Sequence, residues 1–349
     1  MTTKFPRDAA AYELLEEVGK GVSATVWRAM CHPLNVEVAV KVMDLESSEP
    51  STLDEILKET QTMQMLHHPN LVTSHVSFVA GQELWVIMPF VAGGSCLHLL
   101  KWRFKEGFDE PTIATILKGV LSAFQYCHKN QLIHRDIKAG NILIDTDGSV
   151  KVADFGVASS CWGGQDQQHK TLVGSPCWIA PEVLEQTTGY NASADIWSLG
   201  VMMLELAQGS APYAKLAPMK VLMLTLEKPP PTLDDTPTRH YSKALKDMVA
   251  QCLQKDPQLR PTAAKLLEHK FLKEAKRKEY LVKTLLEGQP SLAQRIKQMK
   301  AQTGGGKEDK ALAKHVQGVS EWDFNMSDLR EAAKLEVLPP LPEGAEKCD

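Results

Sequence analysis

The densest chemistry in the chain lies in His134-Arg135-Asp136-Ile137-Lys138-Ala139-Gly140-Asn141 and, shortly after it, Asp154-Phe155-Gly156. Between them run Ile142-Leu143-Ile144, the tight-turn pair Asp147-Gly148 and Val150-Lys151-Val152, which together predict a β-hairpin. A hairpin there folds the chain back, so Asn141 and Asp154 arrive side by side as two oxygen ligands suited to a hard divalent cation. Asp136 is left to accept a proton from a hydroxyl nucleophile. An isolated Asp-Phe-Gly is usually a surface turn; order and spacing give this set its weight.

Two upstream features supply what such a centre needs. Gly19-Lys20-Gly21-Val22-Ser23-Ala24-Thr25-Val26 falls at a turn between strands, where missing β-carbons let backbone N–H groups approach phosphate oxygens. Ala24 occupies the third glycine position, and the segment that follows is strand-like, whereas a dinucleotide-binding loop needs a helix there. Further on, alternation places Ala39 and Lys41 on one face of a strand and Val38, Val40 and Val42 on the other. A buried ammonium requires an anionic partner, and Glu59 on the next predicted helix is the expected one, with Glu55 assigned to that helix's cap. A lysine with divalent cations neutralises charge developing in phosphoryl transfer.

The elements that must position these groups are legible in the periodicity. Strands are predicted at 12–18, 25–30, 36–43, 72–79 and 83–88, with one helix from the Ser51-Thr52 cap towards Leu66. After Gly93-Gly94 the period becomes helical, over 96–102, 110–129, 194–208, 219–226, 242–254 and 262–269. The expected fold is α+β and bilobal: a five-stranded antiparallel N-lobe sheet with one helix, a mainly helical C-lobe, and a cleft between them. The expected organisation is an N-terminal extension at 1–11, a catalytic domain at 12–272 divided near residue 91, and a tail at 273–349. That tail is read as helical over 273–300, broken at Gly304-Gly305-Gly306, and disordered towards its Pro/Glu-rich end.

With 349 residues, 43% of them hydrophobic, the chain is long enough to bury a large core. A net charge of −4 gives no reason to expect nucleic acid or anionic membrane as the main partner. Seven scattered cysteines lack the paired spacing of zinc or redox sites and fit free thiols in a reducing compartment. No apolar run reaches the ~20 residues that span a bilayer. A cytoplasmic protein without membrane insertion is expected.

Residues 12–272 resemble a eukaryotic protein kinase domain. Ala180-Pro181-Glu182 is similar to the end of that family's activation segment, Asp195-Ile196-Trp197-Ser198 to the start of a C-lobe helix, and Arg260 to the arginine that pairs with Glu182. The resemblance implies ATP and Mg²⁺ as cofactors, with Mn²⁺ as a substitute, and protein substrates. It implies a nucleotide site built from Val18, Gly19, Lys20, Gly21, Val26, Ala39, Lys41, Glu59, Met88, Pro89 and Val91, with Pro89 offering its carbonyl and Val91 its N–H to adenine. It further implies Asp136, Lys138 and Lys41 as catalytic residues and Asn141 and Asp154 as metal ligands. Lys138 is the serine/threonine version of the loop. Ser175 matches the hydroxyl that bridges Asp136 and Lys138 and is grouped with Thr171 as a regulatory position; phosphorylated Thr171 is the expected switch, docking on Arg135.

Within that family, residues 38–46, 54–59, 67–72 and 170–178 are similar to the sterile-20-like group, and most of all to the oxidative-stress-responsive, proline-alanine-rich and Fray kinases. Residues 280–288 and Gly318-Val319-Ser320-Glu321-Trp322-Asp323-Phe324 resemble segments that follow the kinase domain in plant-type members. This implies a with-no-lysine kinase as upstream activator and a place in stress or ion-transport signalling. The alternative is a catalytically weak kinase-fold scaffold or allosteric activator, against which the full set Lys41, Glu59, Asp136, Asn141 and Asp154 argues.

Overall fold

The computed structural model describes residues 4–21, 24–45, 66–154, 159–160, 175–185 and 191–303. Five antiparallel strands form the N-terminal sheet: β1 (Tyr12–Lys20), β2 (Ala24–Cys31), β3 (Val36–Asp44), β4 (Val76–Ala80) and β5 (Glu83–Pro89), in the order β1-β2-β3-β5-β4. The expected alternation on β3 holds. Val38 and Val40 join Tyr12, Ala29, Cys31, Trp85 and Ile87 in an apolar cluster on the outer face, whereas Ala39 and Met43 join the core that continues into the second lobe. Lys41 therefore shares the inner face with residues packed over the cleft.

The fourth strand is shorter than the sequence predicts. Val72 donates its N–H to the Val152 carbonyl at 2.9 Å, so the start of the predicted strand is drawn towards the second lobe, and contact with β5 resumes only at His75, whose N–H meets the Ile87 carbonyl at 2.7 Å. The predicted helix towards Leu66 lies outside the described residues up to residue 65.

The second lobe is built on α1 (Cys96–Trp102), α2 (Glu110–Lys129), α3 (Pro181–Glu185), α4 (Ser193–Gln208), α5 (Pro218–Glu227), α6 (Lys243–Cys252) and α7 (Ala263–Leu267). Asp109 caps α2 by accepting the Thr112 N–H at 3.0 Å. Helix α4 is buried on every side from Ala194 to Ala207, as a helix through the middle of a core must be. Short strands β6 (Leu132–Ile133) and β9 (Ser159–Ser160) pair with each other, and β7 (Ile142–Ile144) with β8 (Val150–Val152), the latter being the predicted hairpin. Among the described residues no helix is long and apolar enough to cross a membrane.

The continuous helix expected over 273–300 is instead broken. It becomes α8 (Lys278–Leu281), a π-helical turn at Val282–Leu286 and α9 (Leu292–Thr303), interrupted at Gly288-Gln289-Pro290, where proline removes a donor and clashes with the preceding turn. These pieces pack on the lobes. Lys276 N donates to Thr115 Oγ1 at 2.9 Å, Tyr280 Oη to Asp109 Oδ2 at 2.9 Å, and Trp102 Nε1 to Gln289 Oε1 at 2.9 Å.

Candidate active site

The loop after β6 is suspended from α4 by two buried carboxylates. Asp195 accepts His134 N at its Oδ2 and Arg135 N at its Oδ1, both at 2.9 Å, while His128 Nε2 stands 2.8 Å from Oδ2. Burial works against the Asp195 charge, but His128 and these N–H groups hold its carboxyl below the usual range. One helical stretch on, Glu205 Oε2 accepts Ala139 N at 2.9 Å and Trp178 Nε1 at 3.1 Å. Burial pushes Glu205 up to about 7, opposed by those two donors. Arg135 sits at φ 71, a left-handed backbone uncommon for a residue with a β-carbon. Such strain persists where surrounding bonds over-determine it, and both flanks of Arg135 are so held.

Asp136 is the hub. Ser175 Oγ donates to its Oδ1 at 2.8 Å, and Lys138 Nζ lies 2.7 Å from its Oδ2 and 2.6 Å from Ser175 Oγ. Asn141 Nδ2 donates to Asp136 Oδ2 at 2.9 Å and to its backbone carbonyl at 2.7 Å. The amide nitrogen being so engaged, Asn141 Oδ1 is the atom it has left to offer a cation. Ala153 N donates to the Asn141 carbonyl at 2.8 Å, which ties the two ends of the hairpin together beside Asp154.

Asp154 also has a left-handed backbone, at φ 63. Its Oδ1 accepts Lys41 Nζ at 2.7 Å, with the carboxylate 46% exposed at the cleft and the lysine 16%. The Lys41 charge, with its hydrogen bond, pulls the Asp154 carboxyl down to about 2. An ionised carboxylate beside an amide oxygen fits Mg²⁺, which takes one or two protein oxygens and fills its remaining positions with water and phosphate oxygens. Mn²⁺ accepts the same donors.

The wall of the cleft under the sheet is apolar. Ala39 faces Met88 across the β3–β5 ladder, and both belong with Val91 to the continuous core, with Val26 packed against it. Pro89 ends β5 opposite Val38. Gly19 and Lys20 belong to β1, so the sheet runs further into the glycine segment than expected; Gly21 N then turns to the Ala24 carbonyl at 2.8 Å. Val18 is on the same strand, half-buried.

The structure thus brings Lys41, Asp136, Lys138, Asn141, Asp154 and Ser175 together at the lobe junction. Glu59, Glu55, Val22, Ser23, Phe155, Gly156 and Thr171 lie outside the described residues, as do Trp322 and Phe324 of the tail. Ser175, grouped from sequence with Thr171 as a regulatory position, is only 1% exposed and bonded to both Lys138 and Asp136. In this conformation it is a bridging hydroxyl, and a phosphate on it would have to displace both contacts.

Two groups went unnoticed in the sequence reading. Glu205 interrupts the apolar run Met202-Met203-Leu204 and Leu206-Ala207, and a carboxylate inside such a run signals a buried acceptor with specific donors. Leu143 sits half-buried between two fully buried isoleucines of β7 and packs on the core that includes Ala39 and Met88.

A bilobal α+β fold with this cleft constellation defines the class. The family described as "Protein kinase domain" matches residues 12–272, and the chain belongs to it. Its relatives include "Serine/threonine-protein kinase fray2" of Dictyostelium discoideum, 49% identical over 295 residues, covering 84% of this chain and 29% of that protein. "Germinal center kinase 3" of Caenorhabditis elegans is 44% identical over 340 residues, covering 92% of this chain and 56% of that protein. "Serine/threonine-protein kinase fray1" of Dictyostelium discoideum is 41% identical over 285 residues, covering 81% and 50%. The chain therefore resembles Fray- and germinal-centre-type kinases, and spans between about a third and just over half of these relatives' lengths.

Proposed function

We propose that this chain is a serine/threonine protein kinase, transferring the γ-phosphoryl group of ATP to hydroxyl groups of protein substrates. The observation that carries this reading is the Asp136 hub, with Lys138 and Ser175 closed around one carboxylate beside the Lys41–Asp154 pair. Asp136 orients the acceptor hydroxyl and takes its proton as oxygen bonds to phosphorus and the bond to the ADP oxygen breaks. Lys138, held at Asp136, places a cation where the transferred group passes; Lys41 does so on the side of the remaining phosphates. Asn141 and Asp154 would hold Mg²⁺, which when bound supplies further neutralising charge. The Val26, Ala39, Met88 and Val91 surface would receive adenine, with Pro89 and Val91 offering backbone groups.

The relatives' names support serine/threonine specificity, and the residue-level resemblance to the sterile-20-like group supports a place in a cytoplasmic signalling cascade of the stress or ion-transport type. In this reading a with-no-lysine kinase activates the chain at Thr171. The domain occupies 12–272 and the residues after it are regulatory. The test is radiolabel transfer from ATP to a generic serine/threonine protein substrate by the purified full chain. Asp154→Ala is expected to abolish transfer with the fold intact, and sustained turnover by that variant would refute the assignment. Thr171→Ala is expected to stay poorly active after incubation with an upstream kinase; full activation would remove Thr171 as the switch.

A further inference from the structure

Helix α9 lies beyond the residues that the family match covers, yet it grips two of the elements proposed to bind nucleotide. At its first turn, Leu292 Cδ1 comes within 2.7 Å of where a β-carbon on Gly94 would stand, and Gly94 holds φ 82. One turn on, Arg295 Nη2 donates to the Gly93 carbonyl at 2.8 Å. Near its end, Lys300 Nζ meets Glu17 Oε1 at 2.9 Å, on β1 two residues before Gly19. Leu292, Arg295 and Ile296 are 6%, 2% and 8% exposed, so this contact is a packed face.

The Gly93-Gly94 turn is fixed on its other side too. A β-carbon on Gly93 would stand 2.2 Å from the Ile144 carbonyl, and Ile144 N donates to the Gly94 carbonyl at 2.9 Å. Gly94 N turns back to the Val91 carbonyl at 3.2 Å. The turn that leaves the proposed adenine-binding edge is thus held between β7, which continues directly from Asn141, and α9.

Arg295 is a poor choice for stability alone. Among the described residues its Nε and Nη1 are buried without a hydrogen-bond partner, and burial lowers its pKa. A buried cation with one carbonyl acceptor is costly, and an apolar side chain of similar volume is often neutral or stabilising in such a place. What the guanidinium does that an apolar chain could not is hold the Gly93 carbonyl.

We propose that Arg295 is a positioning residue for nucleotide binding, acting through the Gly93 carbonyl, and that α9 clasps the Gly93-Gly94 turn and the strand ahead of the glycine loop to one another. This rests on the nucleotide site proposed above. The experiment measures ATP KM, kcat and unfolding temperature for the full chain and its variants Arg295→Met and Arg295→Lys. Arg295→Met is expected to raise ATP KM about 5-fold or more, with kcat within about two-fold. Its unfolding temperature stays equal to or above that of the parent chain, and Arg295→Lys recovers most of the affinity. Glu17→Lys and Lys300→Glu each raise ATP KM, and the double variant restores it. An ATP KM in Arg295→Met within about two-fold of the parent chain overturns the clasp. So does a KM rise that follows a fall in unfolding temperature and is not recovered by lysine. Lys41→Met separates the two claims: if it keeps turnover, the site reading fails, whereas Arg295→Met still reports on the clasp.

Discussion

Lys41 Nζ and Asp154 Oδ1 lie 2.7 Å apart, although 113 residues separate them along the chain. The pair joins the inner face of β3 to the end of the β7–β8 hairpin, and so ties the two lobes at the point where phosphates are proposed to sit. Being partly open to solvent, it contributes on the order of 1 kcal/mol or less to stability. Its place is explained by chemistry more than by folding.

Lys41→Met should therefore lower phosphate transfer by about 100-fold or more while shifting unfolding free energy by about 1 kcal/mol at most. Radiolabel transfer and denaturant unfolding on the same preparation check this. A loss of activity matched by a loss of several kcal/mol would make Lys41 a structural residue.

Ser175→Ala removes the hydroxyl between Lys138 and Asp136 and leaves those two in direct contact. A fall in kcat of about 10-fold is expected, and Ser175→Thr, which keeps the hydroxyl, should retain most of the rate. Equal rates in the alanine and threonine variants would deny the bridge a role.

Glu205 should make stability depend on pH. Its folded pKa of about 7 stands above the reference 4.5, so between these values the folded chain binds more protons than the unfolded one. The contribution is full below about 4.5 and is lost as pH rises through about 7. Unfolding free energy measured from pH 5 to 8 should fall by this component in the parent chain and lack it in Glu205→Gln. Parallel curves for the two would contradict the buried carboxylate's assigned state.

Arg260 and Glu182 form a buried pair, with Nη1–Oε1 at 2.5 Å, Nη2–Oε2 at 2.8 Å and the guanidinium 5.1 Å from the Trp197 ring centroid. Glu182→Leu leaves the arginine uncompensated and should cost about 3–5 kcal/mol, part of which the double change with Arg260→Met should recover. Calorimetry on the three proteins tests it; a single change costing no more than a surface ion pair would disprove the burial argument.

Much of the site was legible because its parts are local and ordered. The hairpin signal at Asp147-Gly148 predicts that Asn141 and Asp154 meet, and alternation on β3 predicts which way Lys41 faces. What sequence could not show depends on contacts between distant segments. No local pattern reveals that one oxygen of Glu205 serves both Ala139 and Trp178, nor that Lys41 stands beside Asp154. The helix expected over 273–300 from its charged composition is interrupted at Pro290, whose ring removes a donor whatever the flanking residues favour. Val72 reads as strand on composition, but its hydrogen bond to the Val152 carbonyl draws the start of that segment to the second lobe.

The hydrophobic interior does not end where the family match ends at residue 272. Leu281 and Leu285 belong to the same continuous core as α2 and α4, and a β-carbon on Gly148 would stand 2.0 Å from the Lys278 carbonyl. Proteolytic removal of everything after that boundary would bare an oily stripe along the second lobe and loosen the hairpin that carries Asn141. The packed unit is therefore longer than the segment that the family match covers.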